Sequence, residues 1–391
     1  MKSFNYHQTT EIRFGMGRIR ELGQVTARFG AKALLVTTPA TSQELKNQHD
    51  RVIRILEEAG ISVTHFDGVV PNPTIGSITA GAILARSSGA EVIIGLGGGS
   101  SMDSAKAISV EATHPGTSWD YLFYKSPQPD PGKLLPVIAV STTSGTGSQV
   151  TQVAVVTNTR ERDKSALYNN ILYPQVCIVD PELMLTVPEF VTATTGFDVL
   201  CHAFESTINP GTGAYVDLLA WEAISIVAEN LPKLLSDLKD LKAREKMAWA
   251  DTLAGLCIAN AGVTLPHGMG MAIGGMYPHV AHGEALAIVY PAFAEFTWES
   301  AIPQFARLAG ILNPENRTLP EMDAASKCTG EIVKFLKTIG LNKSLKDVDM
   351  PESEIGVLAN QCMVLPDYQG NPRVATPQEM MDLVRRSYSH S

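Results

Sequence analysis

Val92-Ile93-Ile94-Gly95-Leu96-Gly97-Gly98-Gly99-Ser100-Ser101-Met102-Asp103 runs from an apolar strand through a glycine loop into a helix, which continues as Ser104-Ala105-Lys106-Ala107-Ile108. Glycines let a backbone come close to a phosphate. The helix that follows offers free N–H groups and the positive end of its dipole. The run therefore reads as a pyrophosphate cradle. Its spacing is not that of a Rossmann turn, and the Lys-Ser/Thr ending of a P-loop is missing. A tight turn without a ligand needs fewer glycines than the four gathered here.

The neighbouring segments alternate in kind. Residues 33–37 read as a buried strand, 48–59 as a helix stopped by Gly60, and 61–66 as a second strand. Residues 73–88 read as a helix, 91–95 as a third strand and 135–140 as a fourth. Strand–helix alternation predicts an α/β fold, a parallel sheet with helices on both faces. From about Pro188 the apolar spacing is helical, over 216–230, 241–261, 283–299, 324–338 and 377–386. Asp180-Pro181 and Val187-Pro188 punctuate the change. They put an α/β dinucleotide-binding domain at 1–185 and a helical domain at 186–391.

The chain has 391 residues, enough for two or three domains at about 150 residues each. Hydrophobic residues make up 45% and charged residues 18%, which excludes a disordered chain. The net charge of −9 argues against a nucleic-acid or anionic-membrane binder, because both need a basic face. No stretch approaches the roughly 20 apolar residues of a membrane span, and Met1 to His7 lacks the apolar centre of a signal peptide. The five cysteines are scattered and contain no CxxC pair, so they read as reduced thiols in a cytoplasmic protein. A zinc ribbon and a disulfide scaffold are excluded.

A second polar loop, Ser141-Thr142-Thr143-Ser144-Gly145-Thr146-Gly147-Ser148, follows the fourth strand, at the end of the sheet where α/β proteins bind ligands. Its hydroxyls suit phosphate and ribose oxygens. In the helical half, Asp198 and His202 lie four apart and share one helix face, with Glu205 on the next turn. His267 in Pro266-His267-Gly268 and His282 in His282-Gly283-Glu284 sit beside expected helix boundaries. One carboxylate and three imidazoles make a shell for a divalent first-row ion, with room for a substrate oxygen. Spacing does not choose between His279 and His282 as the last ligand.

These motifs, in this order, resemble the iron-containing (group III) alcohol dehydrogenases from Phe14-Gly15 to the last helices. The resemblance implies a dehydroquinate synthase-like architecture: a dinucleotide-binding α/β domain, an all-helical metal and substrate domain, and a cleft between them. It implies a metal held by Asp198, His202, His267 and His282, through which these residues are catalytic, with His279 the extra histidine. Fe(II) is the first choice and Zn(II) or another such ion the alternative. It further implies NAD or NADP contacts at Asn72, Gly98, Gly99, Ser100, Asp103, Thr142, Thr143, Thr146, Lys164 and Leu183.

Two positions depart from familiar members. Thr38 ends a strand where NAD-preferring relatives often carry Asp. A carboxylate there binds the ribose 2′-OH and repels a 2′-phosphate, so Thr38, Thr41 and Ser42 leave room for NADP. Met271 stands where some relatives have a histidine linked to proton transfer, which puts that relay in doubt. The implied activity is reversible hydride transfer between a small alcohol and NAD(P)+, in a homodimer or larger homo-oligomer. A hydroxyacid–oxoacid transhydrogenase or another non-hydrolytic member of the superfamily is the alternative. A metal-dependent hydrolase fits less well, since hydrolysis needs no pyrophosphate cradle.

Overall fold

Residues 2–389 are described by the structure, a computed structural model. The chain divides into two compact units. The first holds His7–Pro188 with Lys239–Ala248; the second holds the residues before His7, Glu189–Leu238, and the chain from Trp249 onward.

The first unit carries β1 (Glu11–Phe14), α1 (Leu22–Thr26), β2 (Lys32–Val36), α2 (Gln43–Glu58), β3 (Ser62–Phe66) and α3 (Ile75–Ser88). It continues with β4 (Val92–Gly97), α4 (Gly99–Thr113), β5 (Val137–Ser141), β6 (Val153–Asn158), β7 (Asp163–Tyr168) and β8 (Val176–Val179). Six of these strands form one parallel sheet in the order β1-β8-β5-β4-β2-β3, and β6 and β7 pair as an antiparallel hairpin. Both faces of the sheet are covered, as the alternation predicts. Leu34, Val36, Ile93 and Val137 turn to one face and pack on Ile78, Ala82 and Ile108 of α3 and α4. Ala33, Leu35, Val92, Ile94, Ile138 and Val140 turn to the other and pack with Leu22, Val52 and Leu56 of α1 and α2. Burial on both faces explains why the strands read as continuous apolar runs. Each enclosed Leu, Ile or Val contributes about 1.5–3 kcal/mol.

The direction in which strands are added across the sheet reverses after β3. The chain leaves β2 for β3 at the sheet edge, then returns to place β4 on the other side of β2. The carboxyl ends of β2 and β4 thus flank a switch point, where open α/β sheets bind ligands. Helix α2 begins five residues before the expected 48. Ser42 Oγ accepts the N–H of Leu45 as a cap, and the polar first turn lies in solvent without apolar periodicity. The hairpin and the strands β1 and β8 were not anticipated from the sequence.

The second unit is helical: α5 (Glu189–Ile208), α6 (Ala214–Ser236), α7 (Leu241–Ala261) from Trp249 on, α8 (Leu265–Met276) and α9 (His282–Thr297). It ends with α10 (Ile302–Leu312), α11 (Glu321–Thr338), α12 (Ile355–Gln361) and α13 (Pro377–Tyr388). Every residue of α8 is buried, as is nearly all of α5 from Thr192 on, so these two helices form its interior. A helix apolar all round is a core helix, and the polar residues on these two need specific partners. Among the described residues no single helix is long and apolar enough to cross a membrane.

Candidate metal centre and dinucleotide cradle

Asp198 and His202 project from one face of α5, one turn apart. The Asp198 Oδ1 atom lies 3.6 Å from His202 Nε2, 3.5 Å from His267 Nε2 and 4.0 Å from His282 Nε2. These gaps are too long for good hydrogen bonds. They match the roughly 3.4 Å that separates ligands held about 2.1 Å from one tetrahedral ion. Asp198, His267 and His282 each offer a ligand atom within 4.8 Å of the others. The His202 ring stacks on His267 with centroids 4.6 Å apart. Asp198 Oδ1 and His267 Nε2 are buried and have no hydrogen-bond partner in the protein. Buried polar atoms are ordinarily satisfied, so this donor set fits a divalent cation.

Local sequence brings the ligands together. Pro266 sits in the first turn of α8, which its fixed φ favours, and His267 follows it. Gly283 is required because a Cβ there would lie 2.0 Å from the Thr194 carbonyl oxygen, so α9 starts hard against α5 and carries His282 toward Asp198. His279 instead places its Nε2 3.1 Å from the Val348 carbonyl oxygen, away from the cluster.

Glu205 is fully buried. Its Oε1 accepts a 2.7 Å bond from His267 Nδ1, and its Oε2 accepts from the N–H (2.8 Å) and hydroxyl (3.3 Å) of Thr264. This bond fixes the His267 tautomer and leaves Nε2 to face Asp198. Burial pushes the Asp198 carboxyl up, but His202, His267 and His282 around it bring it down to about 2. Burial disfavours the His267 cation, yet the Glu205 and Asp198 carboxylates raise it to about 10. The cluster therefore attracts positive charge strongly.

In the first unit, Thr38, Asn72, Gly98, Thr142 and Leu183 follow β2, β3, β4, β5 and β8 in the chain, while Asp103 lies in α4 and Lys164 in the hairpin. Thr38 lies two residues past β2, and Gly98 joins β4 to α4, which opens with Gly99 and Ser100. Thr142 donates its N–H to the Gly97 carbonyl oxygen at 2.9 Å, which joins the glycine loop to the Ser/Thr loop. The glycines meet protein as well as any ligand. A Cβ on Gly98 would lie 2.9 Å from Thr143 Oγ1, and one on Gly99 2.5 Å from Thr146 Cγ2. Lys164 of β7 donates to Asn72 Oδ1 at 2.8 Å, and Asn72 takes a left-handed φ of 53°. Leu183 is buried, and its carbonyl accepts from Gln48 Nε2 at 3.4 Å. Asp103 accepts from Ser148 Oγ (2.6 Å) and the Val155 N–H (3.0 Å), so both its oxygens are engaged by protein.

Glu205 and Lys106 escaped assignment from the sequence. The signal for each was a charge flanked by apolar or small residues (Phe204 and Ser206, Ala105 and Ala107), which, once buried, demands a partner.

The chain is similar to proteins of known family over nearly its whole length. A family model described as "Iron-containing alcohol dehydrogenase" matches residues 9–181, and one described as "Fe-containing alcohol dehydrogenase family, C-terminal" matches 192–388. The chain is 32% identical to a 1,3-propanediol dehydrogenase of Klebsiella pneumoniae, over 99% of each chain. It is 31% identical to an NAD-dependent methanol dehydrogenase of Bacillus methanolicus, over 95% of this chain and 97% of that one. A solved 1,3-propanediol oxidoreductase superposes with a TM-score of 0.92 at 33% identity, over 99% of this chain and 100% of that chain. The chain belongs to the iron-containing alcohol dehydrogenase family.

Proposed function

We propose that the protein is a divalent-metal-dependent alcohol dehydrogenase, interconverting a small alcohol and its aldehyde or ketone with NAD(P). The observation that carries this reading is the convergence of three imidazole Nε2 atoms on Asp198 Oδ1. The cradle at the sheet switch point supports the cofactor half. Names of relatives that act on propanediol, methanol and lactaldehyde support the substrate class.

An Fe(II) or similar ion would be held by Asp198, His202, His267 and His282 and would supply Lewis acidity, and a bound NAD(P) would supply the hydride donor or acceptor. The chain's own residues do the rest. Asp198 is the single anion among the four residues, so it would cancel only part of a divalent ion's charge. Glu205 holds the His267 ring in its ligating tautomer. Gly98 to Ser100 and Thr142 to Thr146 take the diphosphate, with Lys164 and Asn72 beside them. Met271 is buried in α8 and has no titratable proton to relay.

In this reading residues 1–185 serve the dinucleotide and 186–391 the metal and substrate. NADP is accepted as well as NAD because Thr38 brings no carboxylate. Five buried free thiols suit the reducing cytoplasm, and assembly into a homodimer or larger homo-oligomer accompanies the reading. Asp198→Ala and His267→Ala test it: metal content and turnover should vanish together. A metal-free variant of either kind with full activity would sink the assignment.

A further inference from the structure

Lys106 is completely buried in α4, one turn past Asp103. Its Nζ donates to the carbonyl oxygens of Ser148 (2.7 Å), Thr151 (2.9 Å) and Val153 (2.7 Å). It also reaches the hydroxyls of Ser148 (2.9 Å) and Thr151 (3.3 Å). A buried ammonium is tolerated only when its lost water is replaced in this way. Burial draws Lys106 down to about 8 while Asp103 opposes the shift. Asp103 holds the same segment through Ser148 and Val155.

One face of α4 therefore grips the whole stretch 148–155. That stretch follows directly on the Ser/Thr loop and leads into the hairpin that brings Lys164 to Asn72. The same helix begins at Gly99, which has no room for a Cβ beside Thr146. Lys106 and Asp103 thus anchor the exit of the Ser/Thr loop to the helix that begins at the glycine loop.

We infer that Lys106 is a positioning residue that fixes the gap between the glycine loop and the Ser/Thr loop, and through it the affinity for a dinucleotide's diphosphate. It takes no part in the hydride step. This inference rests on the reading of the cradle as the NAD(P) site.

The test uses metal-loaded wild type, Lys106→Met and Ser148→Ala. Four quantities are read: NADH affinity from nicotinamide fluorescence, displacement by ADP, kcat at saturating NADH, and melting temperature. Lys106→Met should weaken NADH and ADP together by about tenfold or more while kcat at saturation stays within about twofold, the pattern of lost ground-state binding. Ser148→Ala should move both affinities the same way by less, and it decides the matter if Lys106→Met does not fold. A folded variant that melts lower yet binds NADH and ADP like wild type overturns the role of Lys106. A wild type that binds neither NADH nor NADPH overturns the cradle reading instead.

Discussion

Glu205 Oε1 accepts a 2.7 Å hydrogen bond from Nδ1 of His267, and both groups are buried. The bond decides which ring nitrogen of His267 is available at the metal centre. Glu205→Gln should therefore weaken metal retention by about 10–100-fold, the usual effect of removing such a partner. Glu205→Ala should in addition leave the Thr264 N–H unsatisfied, at about 1–3 kcal/mol. Competition with a chelator of known affinity checks the first, and thermal melts check the second. Unchanged retention in Glu205→Gln would remove Glu205 from the centre.

The same carboxylates predict a pH dependence. In protein stripped of metal, His267 is raised from 6.5 to about 10, so its charged form stabilises the fold fully below about pH 6.5. That contribution is lost as the pH rises toward 10. Metal needs the neutral imidazole, so apparent metal affinity should rise with pH across this window by up to about tenfold per unit. Melts of stripped protein from pH 6 to 10, paired with metal titrations, read both trends (pH limits about those of the shift). Stripped protein that grows more stable from neutral to alkaline pH contradicts the charge assignment.

The cradle makes a steric prediction. A Cβ at Gly99 would sit 2.5 Å from Thr146 Cγ2 and 2.8 Å from its hydroxyl. Gly99→Ala should cost about 1–3 kcal/mol of stability, as overpacking does, and should lower NADH affinity. Adding Thr146→Ser removes the nearer atom and should recover part of the stability. A double-mutant cycle on melting and binding shows whether the two positions couple.

In the proposed cofactor reading, Thr38 takes the place where a carboxylate would reject a 2′-phosphate. Thr38→Asp should shift the NADH-to-NADPH ratio of kcat/KM toward NADH by about tenfold or more, through like-charge repulsion. An unchanged ratio would place cofactor choice elsewhere.

Much of the fold was legible because buried strands and amphipathic helices leave local periodicities. Val92 to Gly97 and the α7 span, which matches 241–261, are examples. The parts that were missed carry weaker signals. Val176–Val179 is a run of four apolar residues that periodicity cannot assign, and Asp163–Tyr168 mixes charges into a short hairpin strand. The order β1-β8-β5-β4-β2-β3 depends on pairings between residues far apart in sequence. At the site, Asp198 and His202 were visible from helical spacing. The choice between His279 and His282 was not, because both lie within four residues of one turn, and it took the Val348 carbonyl to separate them. Glu205 looked like one more helical acid until its burial and its two partners appeared.

The most direct test follows the absorbance of reduced nicotinamide with iron-loaded protein and a panel of short aldehydes, before and after chelation. Aldehyde-dependent oxidation of NADH or NADPH should stop when the metal is removed and return when Fe(II) is restored. Turnover that persists in protein verified to be metal-free would contradict the account.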